Sequence, residues 1–218
     1  SMEKYIDYAL ESLGWNSLKI AQTPIRRQIN PEGDSPKLPS HLQSKFHTAN
    51  GMLGWLQLTG RPDVSYAYSR IGQHQANPTE DALDAVEYAF RYLKGTKHLC
   101  LTGPYNASDR SLQDRLIGAV PGDDSDQFGW EFFVDTDFAG NSEKQNKRRS
   151  QIGIIALLNS VPIYWKSSVS TMCFASADIG EAHADSSSGA SESLGAGNAT
   201  QDFMHLGYKA EECGIPFP

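Results

Sequence analysis

Cysteine and long apolar runs are both scarce in this sequence. Cys100, Cys173 and Cys213 are odd in number and far apart, which argues against a disulfide framework and against a zinc site. No stretch approaches the roughly 18 consecutive apolar residues that a membrane span needs, and the first residues form no apolar signal core. These absences predict an intracellular protein without a membrane segment.

Positive charge is also low. The chain has 19 Lys and Arg against 26 Asp and Glu, a net charge of −7. Because contacts to phosphates supply most of the non-specific affinity for nucleic acid, any such role must rest on a local basic patch. The length of 218 residues and the apolar fraction of 39% allow one large or two small domains with an ordinary core.

The first half of the chain has the apolar spacing of helices. The clearest helix begins at Thr79, which suits an N-cap, has acidic residues in its first turn and basic residues in its last. Gly14 suits the left-handed cap of an earlier helix. Gly51 and Gly54 each weaken a helix by about 1 kcal/mol relative to alanine, which indicates close packing of their helix against a neighbour. The predicted helices cover residues 2–13, 41–58 and 79–94, with a further one beginning near residue 62.

Two stretches rich in proline and glycine interrupt this pattern. Residues 16–40 contain four prolines and predict a linker or an arm that wraps around the fold. Residues 103–129 predict a second irregular connection, with one short strand near 112–120. The predicted segments are therefore 1–40, 41–102, 103–129 and 130–218.

The second half of the chain begins with an aromatic run that ends in acids. Residues 130–135 favour a strand, and Asp135 and Asp137 follow at a spacing that gives both side chains the same facing. Two carboxylates at a strand end suit Mg²⁺ or Mn²⁺. The alternative is an acidic turn that only interacts with solvent.

Further strands follow this acidic end. Residues 152–158 and 163–166 favour strands, with a continuation near 172–175, and Asn159-Ser160 suits a hairpin turn between them. Residues 190–213 are a poor helix by propensity because of their glycines, but they have an apolar face. Three antiparallel strands followed by a helix predict an α+β domain with its helices on one face of the sheet.

Several runs of residues resemble a known family. TGRPDVSYA at 59–67, NPT at 77–79 and RYLKGT at 91–96 resemble the series found in copia-type retrotransposon polyproteins just downstream of the reverse-transcriptase palm. FVDTDFAG at 133–140 resembles the opening of their RNase H domain, and KRRSQIG at 147–153 and IYWKS at 163–167 continue it in order. The resemblance implies the thumb and connection of a reverse transcriptase followed by an RNase H-like domain.

The resemblance also implies site residues. RNases H use acidic residues to hold two divalent metals that activate water and stabilise the leaving oxygen. Asp135 matches the first catalytic aspartate, Asp137 matches a supporting acid, and Glu192 matches the catalytic glutamate. The metal ligands implied are therefore Asp135, Asp137 and Glu192, and the cofactor is Mg²⁺ or Mn²⁺.

Two departures from the family pattern predict low activity. Residues 177–185 make the connection to Glu192 longer than usual, and the family's remaining metal aspartates would lie beyond Pro218. We therefore expect a C-terminally truncated, incomplete RNase H-like domain with weak metal occupancy and little or no cleavage. An unpaired edge of its sheet would favour self-association.

The candidate nucleic-acid contacts are few. The resemblance implies that a basic cluster and one lysine of a strand contact phosphates. The alternative for the cluster is a solvated hairpin loop. Trp165 could stack on a base, although a tryptophan in an apolar strand is more often part of a core. A candidate metal or acid/base site is the alternating set Glu181, His183 and Asp185. The alternative is that these residues lie in a solvated loop. The nucleic-acid candidates are Lys144, Lys147, Arg148, Arg149 and Lys166.

Two hypotheses follow from the sequence. The first is an RNase H-type endonuclease module of a retrotransposon polyprotein, which in the parent protein hydrolyses the RNA strand of RNA/DNA hybrids in the cytoplasm or a virus-like particle. The second is a non-catalytic module that positions nucleic acid or contacts other proteins. DNA synthesis is not expected, because no strand with the paired aspartates of a polymerase precedes residue 42.

Overall fold

The protein has two compact units, residues 1–101 and residues 102–218. The computed structural model describes residues 2–26, 35–102, 129–137, 150–169, 184–215 and 217, with side chains in the last helix described from residue 195. The predicted strands near 112–120 and 172–175 lie outside these residues. Each unit has its own core and its own kind of secondary structure.

The first unit is helical. Its helices are α1 (Glu3–Ser12), α2 (Ser40–Thr59), α3 (Ser65–Gly72) and α4 (Glu80–Gly95), with a short 3₁₀ turn at Pro62–Val64 before α3. All four predicted helices are therefore confirmed. The core contains apolar residues from every α-helix, and it includes Ile6, Phe46, Leu53, Ile71 and Phe90.

The predicted helix ends are also present. The Thr79 side chain accepts a hydrogen bond from the Ala82 amide at 3.3 Å, so it caps α4 as its residue type predicts. Gly14 has a φ of +72° just after α1, a conformation that glycine adopts without strain. The ring of Trp15 then packs against the ring of Phe90, with 5.4 Å between the ring centroids, and this contact joins the end of α1 to α4.

The two glycines of α2 have different surroundings. A Cβ atom on Gly54 would lie 2.8 Å from the ring of Tyr68 on α3, so close packing is confirmed at this position. A Cβ on Gly51 would meet nothing within 4 Å, so the prediction of close packing is wrong there. Gly51 lies on the exposed side of α2. The presence of a glycine in a helix does not by itself show whether that position packs against a neighbour or faces solvent.

The second unit is an antiparallel sheet with a helix. The strands β1 (Trp130–Asp137), β2 (Gln151–Leu158) and β3 (Val161–Val169) pair in the order β1-β2-β3, and α5 (Ala184–Glu212) follows. Asn159 and Ser160 have φ values of 50° and 63°, as a tight hairpin between β2 and β3 requires. The predicted hairpin and the α+β class are therefore confirmed.

One face of this sheet packs on α5. Phe132 of β1 lies 4.3 Å from Phe203 of α5 between ring centroids, and Ile152 and Ile154 of β2 form a buried cluster with Ala199 of the helix. Since the side chains of a strand alternate between faces, the even-numbered residues of β1 and β2 are the ones that face the helix. The odd-numbered residues, which include both acids at the end of β1, face away.

Candidate metal and nucleic-acid site

The acids at the end of β1 lie on the face of the sheet that points away from α5. Asp135 and Asp137 are both exposed, and Asp135 pairs with Gly153 across the sheet. Between them, Thr136 points to the helix, where its Cγ2 is in the space that a Cβ on Gly195 would need. The expected common facing of the two carboxylates is therefore present.

The spacing of these acids limits what they can bind. Residues i and i+2 of a strand are about 7 Å apart, so their carboxylates need further ligands to enclose a single ion. Among the residues whose side chains are described, no three His, Cys, Asp or Glu side chains come close enough to hold a metal. The pair offers hard oxygen ligands of the type that Mg²⁺ prefers, without a closed site.

Glu192 lies in α5, one helical turn before Gly195. Because Gly195 packs on Thr136, this part of the helix runs beside the C-terminal half of β1. The side chain of Glu192 lies outside the described residues, so its distance from Asp135 stays a prediction. Asp185 lies in α5, so the expectation of an extended segment or loop is wrong at this residue; its side chain and the whole of Glu181 and His183 lie outside the described residues.

Lys166 is the one candidate phosphate contact in the described residues. Its ammonium pairs with the Asp202 carboxylate of α5 at 2.8 Å, and the lysine side chain keeps 42% exposure. Tyr164 also bonds to Asp202, and burial, followed by the charge and hydrogen bond of this carboxylate, raises the pKa of Tyr164 to about 12. Lys166 thus ties the sheet to α5.

The remaining nucleic-acid candidates lie elsewhere. Lys144, Lys147, Arg148 and Arg149 fall outside the described residues. Trp165 is half-buried opposite Ile155, on the same face of the sheet as Asp135. The stacking and phosphate contacts suggested for these residues stay predictions.

Sequence reasoning missed Glu131. Both of its carboxylate oxygens are shielded from solvent and have no hydrogen-bond partner among the described residues, and burial raises the pKa of Glu131. It lies on the same face of β1 as Asp135 and Asp137. An acid between Trp130 and Phe132 in an aromatic strand was the available signal.

Comparison with known proteins shows several relatives, most of them retrovirus-related Pol polyproteins. The chain is 25% identical over 178 residues to a retrovirus-related Pol polyprotein from transposon TNT 1-94 of Nicotiana tabacum, a match that covers 77% of this chain and 11% of that protein. It is 39% identical over 94 residues to the Pol polyprotein from transposon RE2 of Arabidopsis thaliana, which covers 41% of this chain and 6% of that protein. This chain is related to copia-type retrotransposon polyproteins.

A further relative is an uncharacterised mitochondrial protein of Arabidopsis thaliana, 29% identical over 165 residues, with 76% of this chain and 58% of that protein covered. The chain therefore spans only part of the length of these relatives. No family model matches it, and no solved structure matches it significantly. None of the described helices is long and apolar enough to cross a membrane.

Two of the copia-type motifs of the first unit meet in one network. Arg61, which is 1% exposed, donates to both carboxylate oxygens of Asp63 and to the Thr96 carbonyl and hydroxyl. The Tyr92 hydroxyl donates to Asp63 at 2.8 Å. The network joins TGRPD at 59–63 to RYLKGT at 91–96.

The charge of Asp63 is stabilised within this network. Burial alone would raise the pKa of Asp63, but the hydrogen bonds from Arg61 and Tyr92 and the positive charge of Arg61 outweigh it and leave the pKa below its ordinary value. The guanidinium also lies at the C-terminal end of α4, where a positive charge is favourable. The resemblance of these motifs to the copia-type series did not reveal this structural role.

Proposed function

We propose that the second unit is an RNase H-like module that, in the parent polyprotein, hydrolyses the RNA strand of RNA/DNA hybrids. The observation that carries this proposal is the position of Asp135. It is an exposed acid near the end of the first strand of an antiparallel sheet, with Asp137 beside it and a long helix on the opposite face. This arrangement agrees with the family's RNase H opening, and the relatives support a polyprotein origin.

The residues present fit a divalent metal only in part. Asp135 would hold Mg²⁺ or Mn²⁺, with Asp137 in support. Glu192 is a weaker candidate for a further ligand, because both aspartates face away from its helix α5. Such ions generate a nucleophilic water and stabilise the leaving oxygen of a phosphodiester. Because the described side chains supply two neighbouring acids and no closed cluster, we propose weak occupancy and weak or absent cleavage by this chain.

The proposed partner is an RNA/DNA hybrid in an intracellular setting, the cytoplasm or a virus-like particle. The basic residues at 144–149 would supply its phosphate contacts. In the first unit the arginines of the copia-type motifs already form ion pairs. Arg61 pairs with Asp63, and Arg91 pairs with Glu87 at 2.6 Å. Phosphate binding would therefore depend on the second unit more than on α4.

A non-catalytic role is the alternative. The pairing of Lys166 with Asp202 favours it, since a lysine in family position then stabilises the fold. In that case the module would position nucleic acid or contact proteins. Self-association would be one such contact, because among the described residues β1 and β3 each pair on one side only.

Cleavage of a labelled RNA/DNA hybrid in Mn²⁺ tests the proposal. We expect slow cleavage or none from the whole chain, and any cleavage is expected to disappear in Asp135→Asn. Asp84→Asn is the matched control, because it removes an exposed carboxylate of the first unit. Cleavage that is equal in the chain and in Asp135→Asn would contradict the role of Asp135, and rapid cleavage would contradict the weak site.

A further inference from the structure

One side of α2 is exposed along most of the helix. Its exposed residues recur at steps of four and three, which places them on one helical face. Two of them are large and apolar: Trp55 is 52% exposed and Leu58 is 67% exposed. Single exposed apolar residues are ordinary, but neighbours on one face form a patch. We call the following five residues the α2 face: Ser44, Thr48, Gly51, Trp55 and Leu58.

The α2 face has no charged residue. Among the 20 residues of α2, the only Lys, Arg, Asp or Glu is Lys45, whose ammonium lies 5.1 Å from the centre of the Trp15 ring. Nucleic acid does not fit such a face, because the face offers no cation to a phosphate. The chain has a net charge of −7, which makes copies of it repel one another in general. An uncharged face lets two copies meet without burying like charges.

The described residues give Gly51 no packing role within its own chain. A glycine inside a helix costs about 1 kcal/mol relative to alanine. At Gly54 the ring of Tyr68 occupies the space of a Cβ, but a Cβ on Gly51 would meet nothing within 4 Å. Gly51 therefore leaves a shallow hollow on the α2 face, and the exposed indole of Trp55 lies one helical turn away.

The hollow and the indole are complementary when two copies of α2 pack antiparallel. Gly51 and Trp55 are about 6 Å apart along the helix axis. A twofold axis midway between them puts the Trp55 of each copy over the Gly51 of the other, because a symmetric interface makes each contact twice. The same axis pairs Thr48 with Leu58. Each large apolar side chain of the α2 face then meets a smaller residue.

The helix α1 lies beside the C-terminal half of α2. A Cβ on Gly60 would lie 3.6 Å from the Cγ of Met2, and the Ser12 hydroxyl is 3.9 Å from the Met52 sulfur. The start of α1 is therefore next to the end of α2, and the two helices run antiparallel.

Tyr8 of α1 widens the exposed aromatic surface. It is 59% exposed, and the antiparallel course of α1 places it level with Trp55. Helices pack about 10 Å apart, and α2 and α1 are about 30 and 15 Å long, so the surface covers on the order of 500 Å² per copy. A pair would bury about 1,000 Å², which is the lower limit for a specific interface.

We propose that the α2 face binds a second copy of this chain in an antiparallel pair, with the Trp55 indole of each copy over the Gly51 of the other. The dimer is weak, because its area is at the lower limit. The inference concerns the first unit alone and does not depend on the proposed nuclease function. It also differs from association through the edges of β1 and β3.

Sedimentation of the full chain at concentrations up to about 1 mM tests the proposal. We expect a reversible equilibrium between monomer and dimer, which Gly51→Lys and Trp55→Glu each weaken about tenfold or more. Leu99→Glu is the matched control, since Leu99 is an exposed apolar residue of the same unit outside α2, and it should leave the equilibrium unchanged. The indole signal of the buried Trp15 shows that each variant is folded.

Two results of this experiment would overturn the proposal. One is a monomer at every concentration, which would leave the α2 face free or covered by a different protein. The other is a dimer that persists unchanged in Gly51→Lys and Trp55→Glu, which would assign the association to another surface, such as the edges of the sheet.

An equimolar mixture of the two variants tests the register of the pair. One copy of Gly51→Lys and one of Trp55→Glu keep one contact between Trp55 and Gly51, and they place the introduced lysine opposite the introduced glutamate. We expect this mixed dimer to form several-fold more tightly than the dimer of either variant alone. A mixture that associates no better than its components would refute the antiparallel pairing.

Discussion

Replacing Arg61 by methionine removes the centre of the network between the two longest motifs of the first unit. The guanidinium is almost fully buried, while the Asp63 side chain keeps 32% exposure. The variant would leave the Asp63 carboxylate with the Tyr92 hydroxyl and a backbone amide as its described hydrogen-bond donors, and it would remove two bonds to Thr96. The loss of stability is therefore expected to come mainly from the hydrogen-bond partners that Arg61 leaves unsatisfied.

The magnitude follows from the burial of the pair. Removing one partner of a buried ion pair costs about 3–5 kcal/mol. Because the partly exposed Asp63 can regain water, we expect a loss of about 2–4 kcal/mol in the free energy of unfolding of the first unit. In a unit of this size that corresponds to a fall of the midpoint temperature by about 8–32 °C.

The tryptophans make the measurement specific to one unit. Indole N–H signals of protein labelled at Trp resolve Trp15 in the first unit from Trp130 in the second, and each can be followed through a urea titration. We expect the Trp15 transition to move to lower urea and the Trp130 transition to stay in place.

Two variants serve as controls. Arg26→Met removes an arginine with one exposed carboxylate partner and is expected to cost no more than about 1 kcal/mol. Arg61→Lys keeps the charge but loses the planar fork, so it should fall between the two. A loss in Arg61→Met no larger than that in Arg26→Met would refute the reasoning.

Three further predictions concern pH and packing. Because the folded pKa of Asp63 is lowered, its contribution to stability is present above about pH 4 and is lost as the pH falls through the folded pKa. In urea titrations, the free energy of unfolding of Asp63→Asn should therefore fall less at acid pH than that of the unmodified chain. Tyr164 has a raised folded pKa, so its contribution to stability is complete below about pH 10 and is lost as the pH rises through about 12. The ultraviolet tyrosinate titration of the chain minus that of Tyr164→Phe should show a single ionisation near pH 12. An ionisation near pH 10 would contradict this prediction. Gly51→Ala should raise stability by about 1 kcal/mol, whereas Gly54→Ala should gain less or lose stability because its Cβ meets a ring; equal gains in thermal unfolding would count against that contact.

Local signals in the sequence were enough to predict the elements. Thr79 predicted the start of α4 because a threonine before acidic residues satisfies free backbone amides. Asn159-Ser160 predicted the hairpin because few residue pairs adopt positive φ at both positions. The alternation in β1 predicted the common facing of Asp135 and Asp137.

The contacts between distant segments could not be predicted in the same way. Arg61 and Thr96 are 35 residues apart, and Lys94 meets Leu18 across 76 residues. Neither pair has a local pattern, since each includes a backbone carbonyl that every residue carries. The proline-rich run indicated a wrapping arm, but its path along α4 depends on these distant contacts.

The most direct test of the proposed RNase H-like site is the position of bound Mn²⁺. Titration of the whole chain with Mn²⁺ broadens the amide signals of residues near the ion. We expect broadening centred on Asp135 to Asp137, with loss of this broadening in Asp135→Asn and its retention in Asp84→Asn. No local broadening, or broadening that is unchanged in Asp135→Asn, would show that these acids do not hold the ion.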